Sequence, residues 1–226
     1  MRARKLFYRV PRKRRPPEQA RTELLDAAER VFTHHQPDQV GLKHIAAEAG
    51  VSHALVTHYF GTYAGLIEAT LERRVRLLRE TLLGQVREVG ALAQPARLLG
   101  MLFTALADPV HLRLMRWMFA SERPSADHSL AFADQGLQLI ALEIGKALLG
   151  PEPPRAKIVA IENALITAVS AAYGYAMGKL AMASAVGRPP GKELDDTVLT
   201  TLAQMIQAHL RETLGVDLIA TLHPKI

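Results

Sequence analysis

The chain has 226 residues, 49% hydrophobic and 22% charged, which is enough for one large or two small domains with a proper core and is ordinary for a globular protein. It contains no cysteine, which excludes a disulfide framework and any thiolate metal site and fits a cytoplasmic location. The formal charge of +6 hides an asymmetry: residues 1–17 carry eight basic side chains and no acid, so residues 18–226 sum to −2.

Residues 1–17 are basic and proline-broken, ending in Pro16-Pro17, and little fixed structure is expected of them. Arg12, Lys13, Arg14 and Arg15 suit an arm that lies along phosphates or enters a minor groove; a solvated tail, or a translation start assigned too early, is the plainer alternative. An amphipathic helix is predicted from Glu18 to His34, with Ala20, Leu24, Ala27, Ala28, Val31 and Phe32 on one stripe and Pro17 suited to its first position. Gln36-Pro37-Asp38-Gln39 ends it.

Leu42 to Phe60 reads as two short helices about a turn. Gly41 can cap the first helix, where Ile45, Ala46 and Ala49 share a side, and Gly50 stands where the chain needs positive φ. Val51 plugs the corner and Ser52 can cap the second helix. Leu55, Val56 and Phe60 turn inward there, leaving His53, Ala54, Thr57, His58 and Tyr59 to face outward. This is the pattern of a helix-turn-helix whose second helix enters a DNA major groove; an αα-corner in any helical domain is the alternative. Arg21, Arg30 and Lys43 face six acids within residues 18–60, a local charge of −3, so phosphate attraction must come from particular cations or from the arm.

Gly61-Thr62 then opens a long helix to about Glu88, with Ile67, Leu71, Val75, Leu78 and Leu82 on its inner face. Arg73, Arg74, Arg76 and Arg79 are expected on a solvated face, pairing with Glu72 and Glu80. Further helices are predicted from Pro95, from Asp108-Pro109, over about 127–149, over about 154–186 and from Glu193 to Leu214. No stretch alternates as a half-buried strand would, so the fold class is all-α. The domains expected are a basic arm at 1–17, a DNA-binding domain at 18–64 and a helical effector-binding and dimerisation domain at 65–226.

In the helix over about 154–186, Ala164, Ala168 and Ala172 form a small-residue ridge, and Gly174 and Gly178 extend it. With Leu202, Ile206 and Leu210 of the last helix they are the expected homodimer interface, packing within one subunit being the alternative. An effector pocket is expected among Met101, Phe103, Met115, Trp117, Met118, Phe132, Gln135, Asn163, Thr167, Ser170 and Tyr173, although Met and aromatic residues at helical spacing also make plain core. Asn163, Thr167 and Ser170 are polar at i, i+4 and i+7 of an apolar helix and can orient a ligand or bond to a dimer mate.

The start of the chain lacks the apolar stretch of a signal peptide, and the longest apolar run, Asn163 to Gly178, has 16 residues where a span needs about 20; no membrane association is expected. His34, His35, His44, His53 and His58 show no i, i+4 pair, so no metal is expected. No Gly-rich phosphate loop and no nucleophile–base pairing stands out, so neither a cofactor nor an enzyme is expected.

The motifs R-T-E-L-L-D-A-A-E-R-V-F, I-A-A-E-A-G-V-S-H-A-L-V-T-H-Y-F-G and A-G-L-I-E-A, over about residues 20–68, resemble those of the TetR family of transcriptional regulators. The resemblance implies a homodimer that binds double-stranded DNA at a palindromic operator and, in most members, a repressor released by a small-molecule effector. His53, Ala54, Leu55 and His58 are expected near base edges, with Lys43, Ser52, Thr57, Tyr59 and Tyr63 at or near the backbone. Departures from the family's pattern are Gly41 where many members have threonine or serine, Thr57 where many have tyrosine, and Thr62-Tyr63 where a phosphate-touching lysine commonly stands. A dimer with degenerate or nonspecific DNA binding, acting as an architectural or partner-binding protein, is the rival reading, and repressor versus activator stays open.

Overall fold

Proline, glycine and hydroxyl side chains set the helix ends, as the computed structural model shows over residues 16–88, 92, 94–120 and 135–215. The order is α1 (Pro17–His34), a 3-10 turn (Pro37–Gln39), α2 (Leu42–Glu48), α3 (His53–Phe60), α4 (Tyr63–Val86), α5 (Pro95–Leu106), α6 (Pro109–Ala120), α7 (Gly136–Leu149), α8 (Arg155–Ala185) and α9 (Lys192–Leu214). No strand occurs among the described residues, and the fold is all-α. Pro17, Pro95 and Pro109 each open a helix, where an absent N–H costs nothing. The helix expected over about 127–149 is described from Gly136 onward; its earlier part, with Phe132, lies outside the described residues, as do Arg12, Lys13, Arg14 and Arg15.

The first three helices meet at Leu24, Ala46 and Val56, one residue from each, all buried. Beneath them a larger cluster joins Phe32 of α1 and Ile45 of α2 to Leu66, Ile67 and Leu71 of α4 and to Val110, Leu114 and Met115 of α6. Burying each such side chain stabilises the fold by about 1.5–3 kcal/mol, so the N-terminal unit depends on α4 and α6 for its floor. The corner between α3 and α4 is close: a Cβ on Gly65 would lie 2.3 Å from the carbonyl oxygen of Phe60. Thr62 completes this corner by accepting the Gly65 N–H at 3.0 Å.

Helix α8 packs against α5, α7 and α9, and here the small-residue ridge behaves differently from expectation. Ala164, Ala168 and Ala172 are buried inside one subunit, with Leu202 and Leu210 of α9 also buried and Ile206 packed against the same clusters. The ridge therefore brings helices of one chain together and is not a surface open to a second copy. By length and composition α8, at 31 residues, is apolar enough to cross a membrane, which the 16-residue run in the sequence understated. Lys179 and Tyr175 both hold Asp195 of α9, at 2.7 and 2.8 Å, fixing the α8–α9 pair.

His111 is 2% exposed and lies stacked on Tyr173, the ring centroids 5.6 Å apart, with its Nε2 and the Tyr173 hydroxyl hydrogen-bonded at 2.6 Å. Burial, reinforced by the Arg74 charge, lowers its pKa to about 4.

Two outcomes follow from this packing. Gly65→Ala pushes a methyl into a backbone oxygen that cannot swing aside, and chemical denaturation should show a loss of at least about 1 kcal/mol. Because the folded chain keeps His111 neutral down to about pH 4 while the unfolded chain takes up a proton near 6.5, stability should fall as pH drops between those values, by on the order of 2 kcal/mol. The slope of denaturation free energy against pH should flatten in His111→Gln.

Candidate nucleic-acid interface and effector cavity

Short-range chemistry shapes the helix-turn-helix. Gly50 takes φ +64°, and the Ser52 hydroxyl accepts the Leu55 N–H at 3.3 Å, starting α3. Gly41 has no side chain to cap α2; instead its own N–H donates to Nδ1 of His44 at 3.0 Å. The sequence reading missed this role for His44, although its position three residues after the cap is where a capping-box acceptor stands.

On α3, His53, Ala54 and His58 are exposed, Thr57, Tyr59 and Leu55 are half-buried, and Val56 is fully buried. His53, Ala54 and His58 thus share a free surface. Thr57 donates its hydroxyl to the His53 carbonyl, and the Tyr59 ring packs between those of His58 and Phe60. Of the three cations in this unit, Arg30 pairs with Glu48 at 2.6 Å and Arg21 lies over the Phe60 ring at 5.6 Å. Lys43 is exposed on the first turn of α2.

Tyr63 differs from the expectation that placed it near phosphates. Its hydroxyl donates to the Pro37 carbonyl at 2.8 Å, and its ring packs against Phe32 and edge-on to Trp117. Burial, with the charge of Asp38, pushes its phenol up out of the titrating range. The residue clamps the 3-10 turn to α6 because its ring fills the space under α1.

The arginines of α4 also depart from expectation. Arg76 pairs with Glu72 as anticipated, but Arg73 reaches Asp26 and Glu29 of α1. Arg74 bonds Glu29 of α1 at 3.2 Å and Asp108 ahead of α6. Asp108 in turn accepts the His111 N–H at 2.9 Å as the cap of α6. Lower down, Arg113 of α6 donates to the Phe32 and Thr33 carbonyls at 2.6 and 2.7 Å, closing the C-terminus of α1. Sequence spacing favoured partners on the same helix; helix crossing supplied nearer ones. The cluster leaves Glu29 Oε1 and Arg74 Nε buried without a hydrogen bond among the described residues.

Above this clasp, between α4 and α5, lies a cavity of about 800 Å3. Arg74, Asp108 and His111 close one end, and Leu77, Leu78, Met101 and Ala105 contribute walls. Of the residues expected to hold an effector, Met101 lines this cavity. Met115, Trp117 and Met118 belong instead to the core under the N-terminal unit, because α6 turns that face toward α1 and α4. Phe103 packs on Tyr175, and Tyr173 stacks behind His111. Gln135 is exposed ahead of α7, and Asn163, Thr167 and Ser170 are exposed on the outward side of α8, away from the cavity. The lining residues Arg74 and Arg97 went unrecognised, since a cation reads as surface in a sequence. Among the described residues no three His, Asp or Glu side chains gather as metal ligands.

Residues 24–70 match the family described as bacterial regulatory proteins, tetR family. An uncharacterised HTH-type transcriptional regulator of Mycobacterium tuberculosis is 30% identical over 138 residues, 61% of this chain. That match spans 66%, just under two thirds, of the relative's own length. The HTH-type transcriptional regulator BetI of Agrobacterium fabrum is 46% identical over 59 residues, 26% of this chain and 29% of BetI. In fold, the chain is similar to a tetR-family transcriptional regulator from Streptomyces coelicolor, with a TM-score of 0.58 and 24% identity, covering 89% of this chain and 90% of the other. The helix-turn-helix segment thus carries the domain of the tetR family of bacterial regulatory proteins, and the described helices share the fold of a tetR-family regulator.

Proposed function

We propose that this protein is an effector-responsive repressor that binds a palindromic operator as a homodimer. The observation that carries this reading is the clasp: the same Arg74 closes one end of a largely apolar cavity and holds α1, the buttress of the helix-turn-helix. A ligand in the cavity that displaces Arg74 or α6 shifts the reading helix with it. The domain division follows as residues 18–64 for DNA and 65–226 for effector and partner.

His53, Ala54 and His58 read base edges, with Leu55 behind them. Lys43, Ser52, Thr57 and Tyr59 set register on the backbone, and Arg12, Lys13, Arg14 and Arg15 supply the phosphate grip that the acidic N-terminal unit lacks. Exposure supports the role of α3, and the pairing of Arg21 and Arg30 inside the unit supports that of the arm.

The dimer face is the outward stripe of α8, where Asn163, Ile166, Thr167, Ser170, Gly174 and Met177 follow one another at helical spacing. Ile166 is 52% exposed, and Met205 of α9 is 64% exposed. Gly174 has open space around it, so a second backbone can approach there. Gly178 is covered by its neighbour Met182.

His58→Ala should weaken binding to the site protected in footprinting by about tenfold while changing random-DNA binding less than about twofold; equal losses would remove the base-reading role. Deleting residues 1–15 should weaken both kinds of site and flatten the salt dependence. Ile166→Glu combined with Met205→Glu should convert a sedimenting dimer into a monomer at micromolar concentration with helix content unchanged. A dimer that survives this pair would place the interface elsewhere.

A further inference from the structure

The two ends of the cavity offer different chemistry. At one end Arg74 bonds Asp108; at the other Gln85 of α4 accepts from Arg97 of α5 at 3.0 Å. α4 and α5 therefore run antiparallel along a groove, and α4 rises roughly 16 Å from Arg74 to Gln85. Leu77, Leu78, Met101 and Ala105 line the stretch between.

Carboxylates dominate the Arg74 end. Glu29 pairs with Arg73 and Arg74, and Asp108 takes Arg74 and the His111 N–H. An incoming anion there would face two acids, and an incoming cation would find both already bridged. His111 stays neutral, with its ring nitrogen engaged by Tyr173. Arg97 is different. It lines the groove and is exposed, and among the described residues its guanidinium meets the Gln85 amide oxygen but no carboxylate. A planar fork with open donors beside an apolar channel is matched by a carboxylate on an aliphatic body.

We infer that the effector is a linear anionic amphiphile whose acid group is held by Arg97 and whose aliphatic chain lies along Leu77, Leu78, Met101 and Ala105 toward the Arg74–Asp108 pair. This rests on the reading of the groove as the effector site. The chain's far end then presses on the bond between α4 and α6 and loosens the hold of Arg74 on α1.

Calorimetric titration of the full-length protein with dodecanoate, dodecanol and dodecyltrimethylammonium, each below its micelle concentration, tests both levels. Dodecanoate should bind once per chain and most tightly, and dodecyltrimethylammonium most weakly. Arg97→Gln, at an exposed site, should weaken dodecanoate by about tenfold and leave dodecanol unchanged. Met101→Trp, which fills the groove, should abolish dodecanoate binding while its circular dichroism matches that of the parent. Equal dodecanoate affinity in the parent and in Arg97→Gln, or no dodecanoate binding by the parent, would overturn the acid-recognition inference. If Met101→Trp folds and binds dodecanoate as the parent does, the groove is not the site, and the reading of it as the effector cavity falls as well.

Discussion

Arg74 holds the molecule's two halves in one arrangement. Its guanidinium spans Glu29 on α1 and Asp108 at the head of α6, and its side chain is 21% exposed. A partly buried charge of this kind is stable only while both partners stay in place, because each carboxylate left alone would be poorly solvated. The position of α1, and with it the helix-turn-helix, is thus conditional on the geometry of α4 and α6. Glu29 Oε1 and Arg74 Nε are buried without a hydrogen bond among the described residues, so the network is not fully satisfied there, and each such group is costly in a low-dielectric site. A second tie, from Arg113 to the last carbonyls of α1, makes α6 a lever on the same helix.

The N-terminal unit is built for shape more than for charge. Val56, Leu24 and Ala46 fix the helix crossing, and Gly50 and Gly65 allow its two tight corners. Its cations are largely spent internally, on Glu48 and on the Phe60 ring. The exposed surface of α3 is then two histidines and an alanine, a short list for direct readout. Acids outnumber basic residues within residues 18–60, while eight of the chain's basic side chains stand in residues 1–17.

Helical order, the all-α class and the caps at Ser52, Thr62 and Asp108 were legible in the sequence, since they depend on residues within one or two turns of each other. Apolar periodicity also marked which face of α8 is buried. It could not say what buries it, because an alanine ridge serves a helix of the same chain as well as one from a second copy. Trp117 and Met118 were misplaced for a related reason. A large apolar residue shows that it will be covered, while the crossing of α6 under α1 decides by what.

The sequence by itself determined the secondary structure and the reading motif, which local backbone preferences and 3.6-residue periodicity specify. Only the tertiary structure decided the partners of charges distant along the chain. Arg74 finds Glu29 45 residues away and Arg113 finds the Phe32 carbonyl 81 residues away, and the neutral Tyr63 hydroxyl likewise reaches the carbonyl of Pro37, 26 residues back. Charge pairing falls off with distance in space, not along the chain, so helix crossings had to bring these groups together before their roles were defined.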